Sequence, residues 1–210
     1  MKSKIFFIML VLLTQATWLL AQDDWKLQKE KDGIKVYSAK LPDSKIRAIK
    51  VVADYDAPAK EIADIVMDVN TATEWVSHLK SNYLIKRVST NDFYYYAEVV
   101  LPWPVANRDF VAHLTRIENV QTGVIIIDGP AVPDMVPAKK GIVRIDNSVG
   151  KWVITPLDSN QVRVEYALHV DPAGSIPSWL VNMFSSETPM EIFENLREQL
   201  KHSCQQGRQQ

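Results

Sequence analysis

Alternation of apolar and polar residues dominates this chain. Val162, Val164, Tyr166, Leu168 and Val170 fall on one side of a single run, and Arg163, Glu165 and His169 fall on the other. That period of two is the signature of a strand buried on one face only. Comparable runs predict strands over 25–30, 34–39, 46–54, 83–89, 93–101, 109–118, 123–128, 142–147, 151–155 and 162–170, separated by turn residues. A hairpin-type turn, Lys31-Asp32-Gly33, joins the first two. The period changes at two places. Ile62, Ile65, Val66 and Val69 recur at helical spacing behind Asp56, a plausible cap, and Pro58 in the first turn. Thr71 and Glu74 have capping-box spacing and open a short second helix that carries Trp75. At the C-terminal end, 176–184 predicts a short helix. Thr188-Pro189-Met190-Glu191 predicts the start of a long one, with Ile192, Phe193, Leu196 and Leu200 as its apolar stripe.

Strands, two helices, about seven antiparallel strands and a closing helix make a segregated order. That order is α+β and not a βαβ winding. A one-sided sheet needs an apolar covering on its inner face. One helical stripe cannot cover a strongly curved sheet of this width. Either a ligand or side chains must fill what is left. Alternation nominates Tyr95, Ala97, Val99, Ala112, Leu114, Ile125, Ile127, Val164, Tyr166 and Leu168 as the lining, with Met183 from the closing segment. A slip of one residue in register would turn each of these outward.

The N-terminus bears on compartment. Lys2 and Lys4 precede an apolar run at 5–13, polar Thr14 and Gln15 follow, and small Ala21 comes shortly before Asp23 and Asp24. This is the layout of a secretory signal peptide over 1–21, so the mature chain is expected to start near Gln22 and to be soluble in the periplasm or extracellular space. The competing reading is an N-terminal anchor, because counting Trp18-Leu19-Leu20 brings the run near the roughly 20 residues of a spanning helix. Taking Lys2 and Lys4 from the 24 basic residues leaves 22 against 25 acidic ones, a net of −3. Such a balance offers no footprint for nucleic acid. The remaining residues suit one domain, 22–205, with a disordered tail at 206–210. Cys204 is the only cysteine, so no internal disulfide can form.

Signals for chemistry are sparse. His78, His113, His169 and His202 are scattered without metal-ligand spacing. The chain has no glycine-rich phosphate loop and no nucleophile elbow. His113 alternates onto the outer face of its strand. Glu98 could pair with Arg108 or Arg116, either buried or at the sheet surface. No metal or cofactor is expected. The remaining feature is Pro102-Trp103-Pro104-Val105-Ala106-Asn107-Arg108-Asp109-Phe110-Val111, a loop stiffened by two prolines with Trp103 near its tip. It fits a lid over an apolar space, or a hairpin connection with one packed Trp.

That loop is one of several stretches that together resemble the START domain, a lipid-transfer module. The others are Trp75 after the second helix, Gly141-Ile142-Val143-Arg144, Gly150-Lys151-Trp152-Val153-Ile154-Thr155-Pro156, and the run from Asp171-Pro172-Ala173-Gly174 to Trp179-Leu180-Val181-Asn182. They keep the family's order over nearly all of the mature chain. The resemblance implies a helix-grip fold, in which a curved antiparallel sheet wraps a long C-terminal helix around an apolar tunnel. It also implies one non-covalently held lipid or other hydrophobic small molecule and no cofactor. The tunnel mouth would be bordered by the 102–108 loop and the C-terminal helix, with Trp103 and Trp179 beside it and in transient contact with a membrane surface. Some sterol-binding relatives carry a buried arginine where this chain has Leu114, so a sterol-hydroxyl site is not carried over. The expected behaviour is that of a monomeric carrier. The alternative is a helix-grip enzyme of the cyclase or dehydratase kind, which would need acid–base residues converging on the interior.

Overall fold

The computed structural model describes residues 25–41, 46–174 and 176–206. The expected leader, the start near Gln22 and the side chain of Cys204 lie outside the described residues. So does the expected tail, except that Gln206 ends the last helix. Among the described residues, ten strands form one sheet. They are β1 (Lys26–Lys31), β2 (Ile34–Lys40), β3 (Arg47–Tyr55), β4 (Leu79–Ser89), β5 (Asp92–Val99), β6 (Arg108–Glu118), β7 (Ile125–Pro130), β8 (Val143–Arg144), β9 (Ser148–Pro156) and β10 (Val162–Val170). Helices α1 (Ala59–Met67) and α2 (Ala72–Trp75) follow β3. The chain closes with α3 (Ser178–Asn182), a π turn (Met183–Glu187) and α4 (Thr188–Gln206). Across the sheet the order is β1-β2-β3-β10-β9-β7-β6-β5-β4, with β8 beside β6. This is the helix-grip arrangement of an α+β fold. It departs from expectation at 142–147, where only two residues pair, and they run parallel to β6.

Register confirms the alternation. Tyr95 lies opposite Ala112, Ala97 opposite Phe110, Ile127 opposite Trp152, Trp152 opposite Tyr166, and Val164 opposite Ala53. Directly paired residues share a face, so the nominated strand residues all point inward together. On that face α1 buries Ile62, Ala63 and Met67 against β7 and β9. Helix α4 buries Phe193, Leu196 and Leu200. The Tyr55 hydroxyl donates to the Phe193 carbonyl at 2.9 Å and fixes α4 along its axis. Trp152 stacks between Tyr166, at 4.3 Å, and Phe193, at 5.7 Å, with Trp75 edge-on at 6.3 Å.

The helix starts differ from their sequence signals. Asp56 accepts from Gln161 at 3.3 Å rather than capping α1, whose cap position is Pro58. The Thr71 hydroxyl donates back to Asp68 at 2.9 Å, so the capping box does not close. Thr188 is buried with an unpartnered hydroxyl, because the π turn carries the chain into α4 already helical. A helix with no free N-terminus there has few backbone donors left to cap.

Candidate functional site

Burial along the inner face changes from one end of the sheet to the other. At the α1 end, Phe93, Ile125, Ile127, Ile154, Val162 and Val164 have essentially no accessible surface and form one cluster with α1 and α4. Ile125, Ile127 and Val164 therefore belong to the packed core, because α1 and Phe193 occupy the space in front of them. Arg116 closes this end through its ion pair with Asp64 of α1 at 2.7 Å. Against the opposing effect of burial, Lys60 and Arg116 together hold the Asp64 carboxyl below its usual pKa.

Nearer the other end the same face changes character. Tyr95, Val99, Phe110, Leu114, Tyr166, Leu168 and, from the π turn, Met183 keep part of their surface. Ala97 and Ala112 between them are buried and small. Burial raises the Tyr95 pKa far above the ordinary phenol value, with a smaller contribution from Tyr166, and pushes Tyr166 up to about 12. Both phenols thus stay protonated at any physiological pH. Phe110 and Trp152 join this set. Phe110 was legible in the alternation with Ala112 and Leu114, whereas the side Trp152 faces depends on its pairing with Ile127 and Tyr166.

The end of the sheet beyond these residues is built from the 100–107 loop, the 171–174 turn and α3. Arg108 ties them together. It lies on the inner face opposite Val99, and its guanidinium is buried. Nε donates to the Pro172 carbonyl at 3.0 Å, Nη1 to Ala106 at 2.6 Å and Nη2 to Ala173 at 2.9 Å. Burial lowers its pKa from the usual arginine value. The carbonyls are presented by a turn in which Ala173 and Gly174 are left-handed, at φ 54° and 67°. The Asp171 carboxylate accepts the Ala173 N–H at 3.0 Å and holds that turn.

The loop tip does not fold inward. Trp103 is 91% exposed, which corrects the expectation that it would bury its ring as a closed lid. Trp179 and Val181 on α3 are 50% and 48% exposed. Neither tryptophan is an interior residue. Both present apolar surface to solvent around the same end of the sheet.

Glu98, Asp109 and His113 all lie on the outer face. Glu98 is 4% exposed and pairs with Lys80 at 2.8 Å and Asn107 at 3.0 Å, not with either expected arginine. The Lys80 contact, offset in part by burial, holds its carboxyl below the usual value. Asp109, 1% exposed, takes a two-pronged contact from Arg144 at 2.7 and 3.1 Å. Arg144 in turn donates to the carbonyls of Pro133 and Val136 and so fastens the 132–146 segment over β6. His113 donates its ring N–H to the Asp92 carboxylate at 2.7 Å and stacks on Tyr94 at 4.1 Å. Among the described residues no group of His, Cys, Asp and Glu could hold a metal ion, and no helix is long and apolar enough to cross a membrane.

The family model of the START domain matches residues 9–206. The chain belongs to the START family. An uncharacterized protein of Pseudomonas aeruginosa is 35% identical over 175 residues, covering 83% of this chain and 86% of that protein. Mouse phosphatidylcholine transfer protein is 28% identical over 165 residues, 76% of this chain and 75% of that one. Among solved structures, a STAR-related lipid transfer protein fragment from Xanthomonas axonopodis superposes with a TM-score of 0.77 at 36% identity, covering 85% of this chain and 99% of that one. In this START domain the motif Arg108-Asp109-Phe110 has three separate jobs. Arg108 joins the loop to the 171–174 turn before α3, Asp109 anchors the outer segment, and Phe110 faces the interior.

Proposed function

We propose that this START domain binds one lipid, or another ligand with a long apolar body, between the inner face of the sheet and the C-terminal helix, and carries it. The observation that supports this most strongly is the group of inner-face side chains that stay only half-buried while the rest of that face is packed: Tyr95, Val99, Phe110, Leu114, Tyr166 and Leu168. Surface of that kind fits the wall of an internal space. The energetic requirement is clear. A sixteen-carbon chain exposed to water costs on the order of 12 kcal/mol at about 0.8 per methylene, so a carrier must replace the membrane interior.

Entry and exit are assigned to the end bordered by the 102–108 loop and α3. Trp103, Trp179 and Val181 supply apolar surface that can sit in a bilayer interface. The Arg108 clamp makes the loop and the hinge of α3 move together. With residues 1–21 read as a leader, the carrier works outside the cytoplasm as a soluble monomer. The outward placement of Glu98, Asp109 and His113 favours carriage over catalysis, since an enzyme would need such groups facing the ligand.

Native mass spectrometry of the protein purified from its own envelope fraction tests this reading. The expected result is a stoichiometric adduct of lipid mass that is lost in Ala112→Phe, a variant that fills the interior beside Tyr95. A bare chain that also takes up nothing from vesicles overturns it.

A further inference from the structure

Tyr95 and Tyr166 stand on opposite walls of the curved sheet, with β9, β7 and β6 between their strands. The floor between them is small. Ala112 pairs with Tyr95, and the facing glycines Gly129 and Gly150 lie next along the inner face. A Cβ on Gly150 would come within 3.1 Å of the Tyr166 hydroxyl, and one on Gly129 within 3.0 Å of a Leu114 methyl. The missing side chain at Gly150 is therefore what lets the Tyr166 hydroxyl lean over the floor towards the mouth. After burial, Tyr166 adds a smaller part to the upward shift of the Tyr95 pKa. Neither hydroxyl has a hydrogen-bonding partner among the described residues. Two phenol donors in an otherwise apolar lining are free to pair with a polar group placed beside them.

We infer that the Tyr95 and Tyr166 hydroxyls, facing the interior from either side of the Ala112-Gly129-Gly150 floor, form a polar subsite for an uncharged hydrogen-bonding group, a hydroxyl or a carbonyl, on an apolar ligand. The inference rests on the interior-binding reading above. The charge balance favours an uncharged group. Three cationic side chains on this face are engaged away from the tyrosines: Arg116 pairs with Asp64 at the packed end, Arg108 is held by three carbonyls at the mouth, and Arg47 of β3 donates from Nε to the Ser38 hydroxyl at 2.8 Å. An ionised carboxylate or phosphate beside the tyrosines would be buried without a counter-charge, which is far more costly than burying an uncharged group. The phenols keep their protons and so can donate to a carbonyl or exchange hydrogen bonds with a hydroxyl.

Three fluorescent probes that share one apolar body test this: decylpyrene, pyrenedecanol and pyrenedecanoate. They are titrated into the full chain, Tyr95→Phe/Tyr166→Phe and Gly150→Ala, with thermal melts to confirm that each variant is folded. The double Phe variant should bind pyrenedecanol about tenfold more weakly than the unmodified protein, the size of one to two lost hydrogen bonds. Its affinity for decylpyrene should stay within about twofold, because no hydrogen bond is lost. Gly150→Ala should show the same selective loss by displacing the Tyr166 hydroxyl. In the unmodified protein, ionised pyrenedecanoate should bind more weakly than pyrenedecanol. If both variants hold pyrenedecanol as tightly as the unmodified protein does, or if pyrenedecanoate binds best, the subsite is refuted while interior binding stands. If no probe binds any form, interior binding itself falls, and the subsite falls with it.

Discussion

Trp103→Ala separates a membrane-facing loop from a structural turn. The indole is 91% exposed, so its removal deletes almost no intramolecular contact. A substitution at such a position changes stability by within about 0.5 kcal/mol, against about 3–5 kcal/mol for a Trp buried in a core. The same ring can bury on the order of 150–250 Å² when it is covered. If about half of that enters a bilayer interface, roughly 100 Å² leaves water, worth about 2.5 kcal/mol at ~25 cal/mol per Å². Vesicle affinity should then fall by a factor of about 70. Sedimentation with vesicles, stopped-flow transfer of a fluorescent lipid and denaturant melts on the same preparations give the three readouts. Melts should superimpose, vesicle binding should weaken, and transfer should slow more than equilibrium lipid binding changes. A variant that is destabilised like a core deletion, while its folded fraction transfers lipid at the normal rate, would refute the membrane-facing role.

Further predictions concern the frame around the interior. Leu196→Ala should cost roughly 2–5 kcal/mol in urea melts, because Leu196 is fully buried between α4 and the sheet. Asp109→Ala should destabilise by about 3–5 kcal/mol, since it leaves the Arg144 guanidinium without its carboxylate, and a double Asp109→Ala/Arg144→Met variant should recover part of the loss. The Glu98 carboxyl titrates below its usual value in the folded state, so its stabilising contribution is present above the unfolded glutamate pKa and is lost as pH falls through the lowered folded one. Melts of Glu98→Gln between neutral and acid pH should show a flatter loss of stability than the unmodified protein. A parallel pair of curves would remove Glu98 from the account.

Alternation in the sequence determined which strand residues share a face, and register bore it out from Tyr95 to Leu168. The reason is local. Successive side chains of an extended chain must point to opposite sides, so the hydrophobic pattern names the inner face without reference to the rest of the fold. The motifs named the family for the same reason, because they are read along the chain. Tertiary structure alone decided how that face is divided. Ile127 and Tyr166 look equivalent in the sequence, yet α1 covers the first, while the second leans over Gly150. It also decided that Trp103 points to water, that Arg108 reaches the carbonyls of a turn more than sixty residues away, and that Thr188 needs no cap. Each of these depends on which distant segment arrives beside a residue, and burial, hydrogen bonding and pKa follow from that neighbour rather than from the residue type.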